Sequence, residues 1–323
     1  MTWRVLITCP PMLLTLEECR ERFAAENLEV VAPNVIQQLS EAELCEIIAD
    51  FDGVIAGDDP FNAKVLHIGR QGRLRVLAKW GIGVDAIDLE AAKKLGIYTS
   101  NTPNVFGDEV ADVALGYTIL LARQLHKMDA AVHQGKWLKI QGTSLQGKVA
   151  GIIGVGSIGQ AIARRFHTLG MQVLGYDVRP IAPEFCQETH LQQVNLEQLL
   201  RESDCIVLAC NLTPENYHLL DESAFSLMKD GVWIVNVARG LIVDEKALVD
   251  ALEKGKVGGA ALDVFESEPL ATGHPLLNYE QVIVGSHNSS NTREAVLRVN
   301  QIAIDNLVRD LKQAATQTSQ SKP

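Results

Sequence analysis

Across the first hundred residues, short runs rich in β-branched residues alternate with segments of helical spacing. Arg4–Thr8, Glu29–Ala32, Gly53–Ala56, Arg75–Lys79 and Tyr98–Ser100 read as strands, and Leu16–Ala25 and Glu41–Asp50 repeat apolar residues at helical intervals. That rhythm predicts an open parallel α/β sheet. The turn-forming Asn101-Thr102-Pro103-Asn104 closes it. An apolar-rich helix is predicted from Asp108 to Leu125, its acidic start suiting the positive end of the helix dipole. After Trp137 and the turn region Gly142–Gly147, a second α/β pattern runs from the strand Val149–Ile153 to Ser286. The remainder predicts one helix, Thr292–Leu311, and a frayed polar tail. Periodicity leaves that helix free to join either half.

The second pattern opens with a nucleotide signature. The apolar strand Val149–Ile153 leads directly into Gly154-Val-Gly156-Ser-Ile-Gly159, and Gln160–Leu169 has helical spacing. In that context Gly154 permits the tight turn, Gly156 lets a pyrophosphate approach the backbone, and Gly159 lets helix and strand pack closely. The phosphates then meet N–H groups at a helix N-terminus. The next strand, Gln172–Tyr176, ends in Asp177, 18 residues past Gly159, where a carboxylate can accept from an adenosine ribose diol. Asp177 would repel a 2′-phosphate and so favours NAD. Arg179, two residues on, leaves NADP open.

Three strands of this half end in side chains suited to 2-keto-acid chemistry. Such a reduction needs a cation for the substrate carboxylate, a proton donor for the carbonyl oxygen, and a group to hold that donor's charge. The strand Val232–Ala238 ends in Arg239, Gly258–Val264 is followed by Glu268, and Gln281–Val284 by His287. Arg239 can bind a carboxylate through two hydrogen bonds. Singly, each is an ordinary surface group. Together they converge on the strand ends, where open α/β sheets bind ligands.

Composition narrows the remaining classes. At 323 residues, with 47% hydrophobic, the chain can bury two cores of ordinary size. A net charge of −11 without a Lys/Arg run disfavours nucleic acid. No stretch approaches the roughly 20 apolar residues of a membrane span, and the start of the chain lacks the cationic flank of a signal peptide. The six cysteines form no CxxC pair and no metal spacing, so no metal is expected and a reducing, cytoplasmic setting is.

The ordered set Lys79-Trp-Gly-Ile-Gly-Val-Asp85, Asn101-Thr-Pro103, Gly154–Gly159 with Asp177, Leu212-Thr-Pro214, Asn236-Val-Ala-Arg239-Gly240, Ala261–Pro269 and His287 resembles the D-isomer-specific 2-hydroxyacid dehydrogenase family along nearly the whole chain. The resemblance implies that Arg239 binds and polarises the substrate, His287 is the acid/base and Glu268 pairs with it. It assigns the backbone N–H groups of Gly81 and Ile82 to the substrate carboxylate and Asp263 to the nicotinamide carboxamide. Ser157, Ile158 and Thr213 fall where members contact cofactor phosphates and ribose. Lys79, beside the carboxylate loop, is a candidate for a distal substrate phosphate, and Trp80 for a pocket wall.

The fold so implied has two domains: a flavodoxin-like substrate domain of residues 1–101 and 288–323, and a Rossmann NAD-binding domain of residues 102–287. The active site is expected in the cleft between them, and the protein as a homodimer. Two departures bear on specificity: Ser286 and Asn288-Ser289-Ser290 flank His287 where the family commonly has proline and small or apolar residues, and Asn211 replaces a common proline. The alternatives are a 3-phosphoglycerate dehydrogenase, and an NAD-sensing corepressor on the same scaffold.

Overall fold

The computed structural model describes residues 2–320. One compact unit contains the residues up to Val105 together with those from Asn291 onward, and the other is Phe106–Ser290. These boundaries lie a few residues beyond the predicted 101/102 and 287/288, for local reasons. Arg298 donates to the Val105 carbonyl at 2.6 Å and so ties that residue to the first unit. Asp263 accepts from the amides of Asn288 and Ser289 at 3.1 and 2.9 Å and keeps them in the second.

The first unit is a five-stranded parallel sheet. Its strands are β1 (Trp3–Ile7), β2 (Leu28–Val31), β3 (Gly53–Ala56), β4 (Val76–Lys79) and β5 (Tyr98–Ser100), in the order β2-β1-β3-β4-β5. That is the flavodoxin-like order. Every residue of β3 and β4 is buried, as parallel strands covered on both faces must be. The helix Arg293–Gln320 packs on β3, β4 and β5, burying Val296, Val299, Ala303, Ile304, Leu307 and Leu311 at three- and four-residue intervals. It continues to Gln320, where the sequence predicted a tail after Leu311. Lys312-Gln-Ala-Ala315 are good helix formers and carry the hydrogen-bond ladder past the apolar stripe.

The second unit has seven parallel strands: β6 (Val149–Ile153), β7 (Gln172–Tyr176), β8 (Gln192–Gln193), β9 (Cys205–Leu208), β10 (Val232–Asn236), β11 (Val257–Leu262) and β12 (Val282–Val284). Their order, β12-β11-β10-β9-β6-β7-β8, is the Rossmann arrangement extended by one strand, with the direction of winding reversing at β6. Its core is built from residues such as Ile153, Ile206, Leu208, Ile234 and Leu248. The predicted helix to Leu125 is two helices, Gly107–Arg123 and Leu125–His133. Gln124 stands between them at φ +51°, a left-handed conformation that no helical ladder accepts. Among the described residues no helix is long and apolar enough to cross a membrane.

Candidate active site

Register decides where the chemistry gathers. Tyr176 of β7, Ile153 of β6, Leu208 of β9, Asn236 of β10, Leu262 of β11 and Val284 of β12 are successive partners, a single rung across six strands. Gly154, Asp177, Thr213, Arg239, Asp263, Glu268 and His287 all leave the sheet just beyond that rung. A ligand lying along this edge can meet every one of these loops.

At the β6 end the structure fits a dinucleotide. Gly154 turns at φ +91°, and a Cβ there would come within 2.6 Å of the Cys210 backbone. A Cβ on Gly159 would strike the Gly154 carbonyl, whereas one on Gly156 would meet nothing within 4 Å. Gly156 therefore faces open space at the start of the helix Ser157–Thr168, whose first turn has no side-chain cap. The amides of Ser157, Ile158 and Gly159 there suit a pyrophosphate. This helix starts three residues before the predicted Gln160, inside the glycine-rich motif that obscured its spacing.

Asp177 is fixed by its own loop: Val155 N–H donates to Oδ2 at 2.9 Å and Arg179 N–H to Oδ1 at 3.0 Å. The Arg179 guanidinium stands 3.7 Å from the carboxylate and is 79% exposed. Thr213 is exposed in the loop after β9, where Asn216 accepts from its N–H at 2.7 Å and donates to the Asn211 carbonyl at 2.6 Å. Asn216 thus supplies the turn rigidity lost with the missing proline.

At the other end of the rung, His287 Nδ1 lies 2.7 Å from Glu268 Oε2. A carboxylate only accepts, so Nδ1 carries the proton. The Phe265 amide donates to Glu268 Oε1 at 3.0 Å, and the His287 amide to the Asp263 carbonyl at 2.7 Å. Asn236, buried at the end of β10, shapes the next loop by donating to the Arg239 carbonyl and accepting from the Ala238 amide, both at 3.0 Å. Arg239 is half-buried, donating from Nη1 to the Ala238 carbonyl at 3.0 Å.

Asp263 is buried, its carboxylate receives the Asn288 and Ser289 amides and the Ser289 hydroxyl, the last at 2.5 Å, and the Tyr117 hydroxyl stands beside it. Burial foremost, and then the Asp263 charge, push the Tyr117 phenol up to about 12, so it stays a donor. Tyr117 escaped the sequence reading because one tyrosine on a long apolar helix carries no local signal. Ser289 had shown only as a departure from the family pattern.

In the first unit the residues expected to meet the substrate have partners within the protein. Lys79 is buried, and its ammonium donates to Asp58 Oδ1 at 2.9 Å and to the Trp80 carbonyl at 3.0 Å. The Gly81 N–H, expected on the substrate carboxylate, donates to Thr102 Oγ1 at 2.9 Å. Ile82 stays in the adjoining loop, where its carbonyl accepts from Asn101 Nδ2 at 2.8 Å. Trp80 is buried and donates to Asn300 at 2.7 Å. In the second unit His218, Asp244 and Glu266 bring ligand-type atoms within 4.8 Å of one another. They have structural work: Asp244 caps at the Ala247 amide, and Glu266 accepts from the Glu245 amide, each at 2.9 Å.

A glycine turn at a helix start, a strand-end carboxylate at Asp177, Arg239 and the His287–Glu268 pair thus share one sheet edge, an arrangement that suits a nicotinamide-dependent dehydrogenase. Residues 115–289 match the model of the D-isomer specific 2-hydroxyacid dehydrogenase, NAD binding domain. A glyoxylate reductase of Korarchaeum cryptofilum is 37% identical over 313 residues, covering 94% of this chain and 92% of that protein. A D-3-phosphoglycerate dehydrogenase of Sus scrofa is 41% identical over 283 residues, 87% of this chain but 52% of that protein, so the chain spans about half its length. Among solved structures, a glyoxylate reductase from Paecilomyes thermophila superposes with TM-score 0.83 at 28% identity, covering 96% of this chain and 95% of that one. The apo D-lactate dehydrogenase of Escherichia coli gives 0.80 at 30%, covering 96% and 97%. The chain belongs to the D-isomer-specific 2-hydroxyacid dehydrogenase family and is an NAD-dependent enzyme acting on a CH–OH donor.

Proposed function

We propose that this enzyme interconverts a small, unphosphorylated 2-keto acid and its D-2-hydroxy acid, with Arg239 as carboxylate anchor, His287 as acid/base and Glu268 as its partner. The observation that carries the reading is the 2.7 Å pair of His287 Nδ1 and Glu268 on the edge that also bears Arg239. In the reduction Arg239 holds the keto acid by its carboxylate. His287, cationic beside Glu268, donates from Nε2, the ring nitrogen opposite the pair, to the carbonyl oxygen. Bound NADH supplies the hydride. In the oxidation neutral Nε2 takes the proton back, and Glu268 stabilises the imidazolium that forms.

Two alternative substrates divide on one residue. Relatives named D-3-phosphoglycerate dehydrogenase suggest a phosphorylated acid, and those named glyoxylate reductase a short one. The Lys79–Asp58 pair favours the short acid, because the cation nearest the Gly81–Ile82 loop is already neutralised. The six free cysteines support a reducing, cytoplasmic setting.

A panel of glyoxylate, hydroxypyruvate, pyruvate and 3-phosphohydroxypyruvate, followed by NADH absorbance, tests the reading. The expected result is turnover of an unphosphorylated acid, with kcat/KM at least about tenfold above the phosphorylated one. Arg239→Ala should lower kcat/KM at least about a hundredfold with NADH binding intact, one charged anchor being worth about 3 kcal/mol. Preference for the phosphorylated acid overturns the substrate choice, and an active Arg239→Ala overturns the anchor.

A further inference from the structure

His287 is held in a conformation that histidine does not choose for itself. Its backbone stands at φ +54°, in the left-handed region that costs a residue with a Cβ about 1 kcal/mol or more. Something must hold the loop from Gly285 to Ser290 there. The structure shows a hub: the Asp263 carbonyl accepts the His287 amide at 2.7 Å, and the Asp263 carboxylate accepts the next two amides, at 3.1 Å from Asn288 and 2.9 Å from Ser289. Three consecutive amides thus converge on one buried residue at the end of β11.

Two hydroxyls stand against the hub. Ser289 Oγ donates to Asp263 Oδ2 at 2.5 Å, and the Tyr117 hydroxyl, from the helix Gly107–Arg123, stands beside the other oxygen, Oδ1, of the same carboxylate. The packing leaves no slack, for a Cβ on Gly285 would land on both the Asp263 carboxylate and the Tyr117 hydroxyl. A carboxylate with amides alone on one side could rotate about its side-chain bonds. Hydroxyls set against it from a helix on one side and from the loop on the other restrict that freedom.

We propose that Tyr117 and Ser289 are positioning residues whose hydroxyls lock the Asp263 carboxylate and, through it, hold the His287 loop in the geometry that proton transfer requires. The inference rests on His287 being the acid/base. It gives a role to Ser289, which stands where the family commonly has a small or apolar residue. It also makes one side chain, Asp263, the common support of the acid/base loop and of the position expected to face the nicotinamide.

Tyr117→Phe and Ser289→Ala each remove one oxygen and little volume. The expected result for either is a fall of about tenfold in kcat for keto-acid reduction, with KM within about threefold and NADH binding by fluorescence titration retained. The pH at which reduction fades should move lower, because a loosened loop weakens the His287–Glu268 pair. Ser289→Thr, which keeps the hydroxyl, should recover most of the rate. Variants with kcat and pH profile unchanged overturn the proposal, even if their Tm falls, since a hydroxyl that only adds stability would behave that way. Amide hydrogen exchange of residues 287–289 supplies a readout independent of turnover: it should quicken in both variants, and unchanged exchange overturns the lock. Wild-type protein inactive on the whole keto-acid panel, with exchange still quickened in the variants, would instead fault the acid/base reading.

Discussion

At the scale of the residue, the site depends on what each polar group already touches. Glu268 is held from behind by the Phe265 amide, so its second oxygen has one direction in which to meet His287. Glu268→Gln keeps the shape and loses the charge that favours the imidazolium. On the role proposed for His287, reduction should fade as pH rises and the ring loses its proton. In Glu268→Gln that fade should come at lower pH, with oxidation gaining at the same pH values. A pH–rate profile identical to wild type would separate Glu268 from the acid/base. Asp59 shows the same dependence on partners away from the site. It is fully buried, accepts from the Thr8 hydroxyl and from the Leu39 and Gly57 amides, and burial raises its carboxyl above the usual range.

At the scale of the element, the rung through Tyr176, Ile153, Leu208, Asn236, Leu262 and Val284 converts separate strand ends into one ligand-binding edge. The β7 end of that edge sets cofactor choice. Two backbone amides aim the Asp177 carboxylate, whereas Arg179 reaches toward it from solvent and is worth little as an exposed ion pair. NADH should therefore exceed NADPH in kcat/KM by at least about tenfold, or 1.4 kcal/mol, and Asp177→Ala should narrow the gap. Steady-state kinetics with both cofactors decides this. A wild-type preference for NADPH would mean that Arg179, not Asp177, meets the ribose.

At the scale of the whole molecule, the question is what covers the apolar surface left open. Leu125, Val132, Trp137 and Leu138 are 42, 50, 82 and 52% exposed within fourteen residues of the second unit. Large apolar side chains clustered in this way mark association surfaces. A homodimer formed through the nucleotide unit, which the family resemblance implies, would cover them. Light scattering coupled to gel filtration should give twice the chain mass, and Trp137→Glu should shift the protein toward monomer with its circular dichroism unchanged. A monomeric wild type at micromolar concentration would remove the dimer.

The sequence by itself determined the parallel α/β class, most strand positions, the nucleotide fingerprint with Asp177, and the Arg239, Glu268 and His287 positions. Those features are local. Parallel strands buried on both faces must read as apolar runs, and a glycine turn between strand and helix has few sequence solutions. Tertiary structure decided the rest. It broke the long helix at Gln124, engaged Lys79 with Asp58 and Gly81 with Thr102, seated Trp80 on Asn300, and closed Tyr117 and Ser289 on Asp263. Each of those pairs joins residues at least 21 positions apart in the chain. Hydrogen bonding between such groups depends on ångström placement set by packing, and neither partner's own neighbours in sequence carry that information.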